Sequence, residues 1–251
     1  MSEAHLQHQP DDAPAAPAGP PRRSPAAGVL AALKEVVLVV VVALVVSLVV
    51  KTFLLQAFFI PSQSMEQTLD IGDRVVVSKL TPGPFELHRG DVVVFSDPGG
   101  WLLPTVPAQR GAVGAAVAAA LEFVGLLPED SDEHLIKRVI GLPGDRVACD
   151  GQGPVSVNGS PVEESGYLAA GVAPSQEAFD VTVPAGQLWV MGDNRPNSAD
   201  SREHPDAPYG GFVPVEGVVG RAYAVVWPLG HASRLGTPHA FDAVPGVSGT
   251  S

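Results

Sequence analysis

The stretch VVLVVVVALVVSLVVKTFLLQAFFIPSQSMEQTL, residues 36–69, joins a long apolar run to a pair of serines. Residues 36–50 carry no charge, and Ser47 is their only polar side chain. A helix counted from Val29 to residue 50, with Lys34 and Glu35 at the lipid–water interface, has about 22 residues. It rises about 33 Å, which spans a hydrocarbon core of roughly 30 Å. Lys51 can extend its amine to the far interface. We therefore predict one transmembrane helix over residues 29–51.

Three other interpretations of the apolar run are less favoured. A buried helix of a soluble protein would have to be enclosed on every side. A cleaved signal peptide does not usually follow a long polar tail, and no small-x-small site follows closely. A β-strand is suggested by the many valines, but strands are much shorter. Because Arg22, Arg23 and Lys34 precede the helix, we expect a cytosolic N-terminus and an extracytoplasmic remainder.

Composition narrows the function classes. The chain has 27 acidic and 15 basic residues, a formal charge of −12, and no basic cluster, so nucleic-acid binding has little support. The single cysteine, Cys149, excludes an intrachain disulfide and any multi-cysteine zinc site, and we expect it to be a small buried residue. Residues 1–28 are rich in proline and alanine and are expected to be disordered.

The rest of the chain reads as a mostly β domain over residues 52–231. Short β-branched or alternating runs predict strands within residues 74–80, 91–96, 135–145, 178–186, 188–194 and 215–229. Asn158-Gly159 between two apolar runs predicts a tight hairpin. An insert, residues 97–134, includes an alanine-rich stretch at 110–130 that suggests a short helix, and residues 232–251 are predicted to form a loose tail.

The chemistry-bearing residues are a serine on a loop and a lysine in an apolar strand. The sequence lacks G-x-S-x-G, H-E-x-x-H and a phosphate-binding P-loop, and we interpret His204 as a loop residue rather than a base. Lys137 lies in HLIKRVIG, where either Lys137 or Arg138 could face solvent while the other points inward. Burial lowers the pKa of a lysine, and a neutral amine can serve as the general base for a serine.

A polar loop, GDNRPNSADSR at residues 192–202, follows the apolar strand LWVM. Glycine, asparagine, aspartate and serine favour turns, so the loop could be a solvated connection. The preceding apolar strand places the start of the loop at the core. Its alternating acids and arginines could therefore form paired hydrogen bonds that support a site there.

Five motifs occur in order: IPSQSMEQTL, GDRVVVSKL, RGDVVVF, KRVIGLPGD and GDNRPNSADSR. Together they closely resemble the successive motifs of bacterial type I signal peptidases, over roughly residues 52–227, and the upstream helix fits as well. A single membrane anchor resembles the Gram-positive branch. The resemblance implies an antiparallel-sheet catalytic domain behind one N-terminal transmembrane helix, and a serine endopeptidase that needs no metal or organic cofactor.

The resemblance also implies a role for each matching residue. Ser64 matches the nucleophile and Lys137 the general base, while the Ser62 hydroxyl and the Ser64 N–H match an oxyanion hole. Ser198 matches a residue that hydrogen-bonds the lysine and orients it. The residues that match structural support around this pair are Asp193, Asp200 and Arg202. The residues that fall where the family lines its S1 and S3 pockets are Phe58, Ile60, Met65, Leu69, Val75, Val94, Leu135 and Ile136.

Two positions depart from the family pattern. Gln67 stands where the family often has proline, and Pro196 stands where it usually has a small or polar residue. Neither position matches a catalytic role, so we expect altered loop geometry rather than loss of activity.

Only about a dozen residues separate Lys51 from Ser64, and an extended chain covers at most about 3.3–3.6 Å per residue. Ser64 is therefore expected near the outer membrane–water interface, where a signal peptide presents its cleavage site. The apolar side chains after the helix either seat the domain on lipid or pack in its core; they are Phe53, Leu54, Leu55, Phe58 and Phe59.

We predict a single-pass enzyme of the cytoplasmic membrane that removes signal peptides from preproteins through a Ser64 acyl-enzyme. Its partners are preproteins, the lipid bilayer and, as a further expectation, the secretion translocon. One rival is a self-cleaving Ser–Lys regulator of the SOS-repressor type, against which the membrane helix argues. The other is a non-catalytic exported β-domain used for binding or pilus assembly, against which the intact Ser–Lys pair argues.

Overall fold

The computed structural model describes residues 25–102 and 134–246, with one long helix and two antiparallel sheets. Helix α1 spans Pro25–Phe53. Its segment Ala32–Phe53 has 22 residues and a mean hydropathy of 2.9, and it is the one helix among the described residues that is long and apolar enough to cross a membrane. Most of the valine and leucine side chains in residues 32–50 are exposed, as contact with lipid requires. The helix predicted at residues 29–51 is therefore present and extends further at both ends.

The described residues beyond the helix contain short strands joined mostly by turns. In chain order the strands are β1 Leu55–Phe59, β2 Arg74–Ser78, β3 Val92–Ser96, β4 His134–Gly141, β5 Arg146–Asp150, β6 Ser156–Val157, β7 Ser160–Pro161, β8 Ala178–Thr182, β9 Gln187–Met191, β10 Val213–Pro214, β11 Val218–Trp227 and β12 Ser233–Arg234. Every strand predicted from the sequence overlaps one of these, and β4 and β9 each begin one residue earlier than predicted.

The larger sheet has the order β1-β2-β11-β3-β4-β9-β10, and β12 pairs with β11. The smaller sheet has the order β7-β6-β5-β8. All pairings are antiparallel, so the predicted fold class is confirmed. The predicted hairpin is also confirmed: Asn158 and Gly159 have φ of 53° and 80°, the left-handed conformation that a two-residue turn between β6 and β7 requires.

The larger sheet is buried on both faces where β3 and β4 pair. Val92 and Val94 pack in one apolar cluster, whereas Val93 and Phe95, which alternate with them, pack in another. Residues 136–141 of β4 are buried without interruption. A side chain on this strand therefore enters the protein interior whichever way it points, which governs the two cations that β4 carries.

The smaller sheet packs against the larger one through a third apolar cluster. This cluster joins Val147 and Val157 of the smaller sheet to Ile140, Trp189 and Met191 of the larger. Cys149 is buried here, as expected for a small apolar residue.

The prediction of a loose tail at residues 232–251 is wrong for the part that the structure describes. Ser233 and Arg234 pair with Val225 and Ala224 of β11. Farther along, Phe241 and Val244 are buried in the third apolar cluster. Few apolar residues occur in this segment, and the sequence pattern does not indicate that they reach the core.

Most of the insert, including the helix predicted at residues 110–130, lies outside the described residues. Its first residues are ordered by the carboxylate of Asp97, which accepts hydrogen bonds from the N–H groups of residues 99–102. Burial raises the pKa of Asp97, but these four bonds outweigh it and hold the pKa below its ordinary value. Trp101 is buried and stacks on His204 with ring centroids 4.3 Å apart.

Candidate active site

Ser64 lies on the loop between β1 and β2, and apolar side chains fix that loop. Ile60 and Gly72 close its base, since the Ile60 N–H donates to Asp73 and the Gly72 N–H donates to Ile60. Met65 and Leu69, on either side of one turn, are buried in the core. Ser64 is itself only 7% exposed. The hydroxyl is therefore held by packing on both sides rather than presented on a free loop.

Lys137 reaches Ser64 from the centre of β4. Its Nζ lies 2.8 Å from the Ser64 Oγ and 3.0 Å from the Ile136 carbonyl oxygen, and the residue is 3% exposed. Burial lowers the pKa of Lys137 to about 8, against an opposing effect of the Asp200 and Asp193 carboxylates. A neutral amine beside a serine hydroxyl is thus accessible at mildly alkaline pH.

Ser62 lies close to Ser64 on the same loop. Its Oγ is 3.3 Å from the Ser64 Oγ, and the residue is exposed. A hydroxyl at this distance can donate to an oxygen that develops negative charge next to Ser64.

The polar loop at residues 192–202 packs directly on Ser64. The N–H of Asn194 donates to the Ser64 carbonyl oxygen at 3.1 Å, and the Asn194 side chain donates to the Gln63 carbonyl and to Glu66. The Asp200 carboxylate accepts the Gly192 N–H at 2.9 Å and pairs with Arg202 at 2.8 Å. The supporting role that the resemblance implies therefore has a definite set of contacts.

Gly192 packs tightly against Ser64 and Ser198. A Cβ built there would collide with the Ser198 hydroxyl and with the Ser64 carbonyl oxygen. Only glycine fits this position, because neither the buried serine nor the backbone oxygen has room to move.

Ser198 is buried in this region, but its Oγ has no hydrogen-bond partner among the described residues. The two acceptors on Lys137 are Ser64 and the Ile136 carbonyl. The orienting bond that the resemblance implies for Ser198 is not formed in this structure, so that role stays a prediction.

Arg138 was not anticipated as a site residue, yet it is as buried as its neighbour Lys137. It donates to both oxygens of Asp193, at 2.8 and 2.5 Å, and to the Gly90 carbonyl at 2.7 Å. Thr68 donates to the same aspartate at 2.5 Å. The signal in the sequence was an arginine inside an apolar strand, followed much later by a polar loop that carries two aspartates.

A small cavity of about 110 Å³ opens between Ser62, Lys137 and the apolar end of β4. Five of the eight predicted pocket residues line it: Phe58, Ile60, Val94, Leu135 and Ile136. The remaining three do not line it and are fully buried in the adjacent core: Met65, Leu69 and Val75. The cavity is smaller than the roughly 150 Å³ space that accepts benzene in an engineered protein core, so it suits a small side chain.

The two departures from the family pattern lie on these loops. Gln67 has φ of 89°, which the proline ring cannot adopt, so the backbone here differs from one built around proline. Pro196 lies in the single turn Arg195–Asn197, where its fixed φ is compatible with the helical conformation.

Comparisons with known proteins found the following similarities. A family model described as signal peptidase, peptidase S26, matches residues 33–227. The chain is 36% identical to a probable signal peptidase I of Mycobacterium leprae, over 82% of this chain and 80% of that protein. It is 38% identical to the signal peptidase I of Mycobacterium tuberculosis strain CDC 1551 / Oshkosh, with 78% and 73% covered. A crystal structure of a signal peptidase I from Enterococcus faecalis V583 aligns with 55% of this chain and 97% of its own, at 24% identity and a TM-score of 0.34.

Proposed function

This chain belongs to the signal peptidase family, peptidase S26, and we propose that it is a membrane-bound serine endopeptidase that removes signal peptides with a Ser64–Lys137 pair. The observation that carries the proposal is the buried Lys137 amine, 2.8 Å from the Ser64 hydroxyl, with its pKa lowered to about 8. An amine in that state can accept a proton where an exposed lysine, with a pKa near 10.4, cannot.

The first half of the reaction transfers the acyl group to the enzyme. The neutral Lys137 amine removes the proton from the Ser64 hydroxyl while Oγ attacks the scissile carbonyl carbon. The carbonyl oxygen becomes negatively charged and is stabilised by the Ser64 N–H and the Ser62 hydroxyl. The C–N bond then breaks, the Lys137 ammonium gives its proton to the leaving amine, and the signal peptide remains as an ester on Ser64.

The second half reverses these roles with water. Lys137, neutral again, takes a proton from a water molecule that attacks the ester carbonyl. The oxygen is stabilised by the same two donors, and the protonated lysine returns the proton to the Ser64 oxygen as the ester bond breaks. No metal or organic cofactor takes part in these steps.

The loop at residues 192–202 keeps the pair in register. Asp193 is held by Arg138, and Asp200 is held by Arg202. The loop backbone in turn holds the Ser64 carbonyl through Asn194. We assign Ser198 to the same support, as the residue whose buried hydroxyl orients Lys137 when substrate is bound.

Substrate selection follows from the small cavity. Ile60, Val94 and Ile136 line the cavity, and we infer that these branched side chains admit a residue as small as alanine and reject larger ones by steric overlap. We therefore propose that the enzyme cleaves after a small residue, with a second small residue at P3.

The apolar helix α1 supports a location in the cytoplasmic membrane. Because Arg22, Arg23 and Lys34 lie on its N-terminal side, we propose that the tail is cytosolic and that residues 52–231 lie outside the cytoplasmic membrane. Preproteins arriving through the translocon, and the bilayer itself, are then its partners.

The test is cleavage of one purified preprotein by the full-length protein in detergent, with the cut site read by mass spectrometry. We expect a single cut after an Ala-x-Ala sequence, and no cut by Ser64→Ala. Comparable cleavage after leucine or phenylalanine at P1 would overturn the pocket assignment, and cleavage by Ser64→Ala would overturn the nucleophile.

A further inference from the structure

Two polar side chains between β7 and β8 are buried without a part in the chemistry described so far. Glu164 is 3% exposed and Tyr167 is 6% exposed, and both belong to the connection between these two strands of the smaller sheet. The Tyr167 hydroxyl donates to Glu164 Oε1 at 2.7 Å. Burying a carboxylate and a phenol is costly unless each has dedicated partners, so the partners indicate what these residues do.

Glu164 holds Arg195, a residue of the catalytic loop. The Arg195 guanidinium donates to both Glu164 oxygens, at 2.5 and 3.2 Å, and also to the Pro174 carbonyl. Its Nε donates to the Gly192 carbonyl oxygen at 2.9 Å. The carboxylate thus reaches Gly192 through one side chain.

Tyr167 holds Arg138, the cation next to the general base. The Arg138 guanidinium lies over the Tyr167 ring, 4.3 Å from its centroid, in a favourable cation–π arrangement. The same guanidinium binds Asp193 through two hydrogen bonds. Tyr167 thus reaches Asp193 through one side chain.

These two paths form a closed circuit, because Gly192 and Asp193 are adjacent in the chain. The circuit contains two cations and two anions, all buried, so removal of one member leaves its neighbour without compensation. The circuit includes Gly192, which packs tightly against the Ser64 carbonyl oxygen. Two residues later, the N–H of Asn194 donates a hydrogen bond to the same oxygen. None of its members lines the small cavity.

We propose that Glu164 and Tyr167 are positioning residues for the Ser64–Lys137 pair, acting through Arg195 and Arg138. This proposal rests on the proposed function. Because the circuit sets where the loop meets Ser64 but does not touch the substrate cavity, its loss reduces kcat and leaves KM in place. A displacement of about 1 Å at a reacting group can lower a rate by about a hundredfold, so small shifts of this loop suffice.

The experiment compares Glu164→Gln and Tyr167→Phe with the native full-length protein in a preprotein cleavage assay. Glu164→Gln keeps the shape and removes the charge, and we expect kcat to fall by about ten- to a hundredfold with KM changed by less than about twofold. Tyr167→Phe keeps the ring over Arg138 and removes one buried hydrogen bond, so kcat should fall by about fivefold. Labelling of Ser64 by a serine-acylating probe should slow in parallel.

The matched control is Asp180→Asn, which breaks the exposed Arg146–Asp180 pair of the smaller sheet and should leave kcat and KM unchanged. All assays are run well below each variant's unfolding midpoint. Native kcat and labelling rates in Tyr167→Phe and in folded Glu164→Gln, a rise in KM alone, or an equal loss in Asp180→Asn would overturn the proposal. If Glu164→Gln does not fold, Tyr167→Phe decides. A native protein that cleaves no preprotein would instead refute the proposed function.

Discussion

The pKa of Lys137 is set by two opposing influences. Burial favours the neutral amine, while the Asp193 and Asp200 carboxylates favour the ammonium form. With the pKa at about 8, roughly one lysine in ten is neutral at pH 7, and most are neutral at pH 9.

The pH dependence of cleavage follows from this balance. In the proposed mechanism the neutral amine is the base, so kcat/KM should rise about tenfold per pH unit below the pKa and level off above about pH 8. The measurement is a pH profile of preprotein cleavage.

Lys137→Met, which keeps the apolar stem and removes the amine, should lower kcat/KM by about 10²–10⁴-fold. Lys137→Arg should fail equally, because a guanidinium stays protonated. Substantial turnover by folded Lys137→Met at neutral pH would require another base.

The tight packing at Gly192 gives a second prediction about a single residue. Gly192→Ala pushes a methyl group against the Ser198 hydroxyl and the Ser64 carbonyl oxygen, so the nucleophile or the loop must shift. We expect kcat to fall by about a hundredfold. Gly217→Ala is the control, since a Cβ there meets nothing within 4 Å. If both variants keep native activity, the packing at Gly192 is not tight in solution.

The residues that were predicted and those that were missed differ for a physical reason. Ser64 and Lys137 belong to recognisable motifs, so a resemblance to a family identifies them. Period-two alternation could not decide whether Lys137 or Arg138 faces inward, because it presumes one solvated face. The structure answers that both are buried.

At the scale of elements, local signals predicted local structure well. The Asn158-Gly159 pair is enough to predict the turn between β6 and β7, and valine-rich runs are enough to predict strands, whatever those strands later pack against. The pairing of β11 between β2 and β3 depends on contacts between segments far apart in the chain, which no short pattern records. The same limit explains the tail, whose order comes from contacts that Phe241 makes with distant residues.

The ordered tail predicts a stability effect. Phe241 is buried and its ring stacks with Tyr167, so Phe241→Ala should lower the free energy of unfolding by about 3 kcal/mol, the lower end of the range for Phe→Ala. The measurement is urea unfolding followed by tryptophan fluorescence. His239→Ala, two residues away, removes only an exposed pair with Asp242 and should change little. Equal stability of the two variants would show that the tail does not contribute to the core.

For the whole molecule, the distribution of charge and apolar surface predicts the topology. We expect protease added to spheroplasts to degrade residues 52–251 and to spare an epitope tag placed before Arg22, because the basic residues stay on the cytosolic side. A cytosolic marker protein, which must stay intact, controls for lysis. Protection of the catalytic residues while the tag is cleaved would invert the assignment.

Lys137 and Arg138 are adjacent on a strand that is buried on both faces, and this has a consequence for molecules in which that strand pairs wrongly. If β4 paired one residue out of step, every side chain would change face, and a guanidinium would take the place of the amine beside Ser64. Such a molecule could keep much of its sheet, yet it would have no group able to accept the serine proton. An error in strand pairing would therefore yield an inert protein at the membrane rather than a protease with relaxed selectivity.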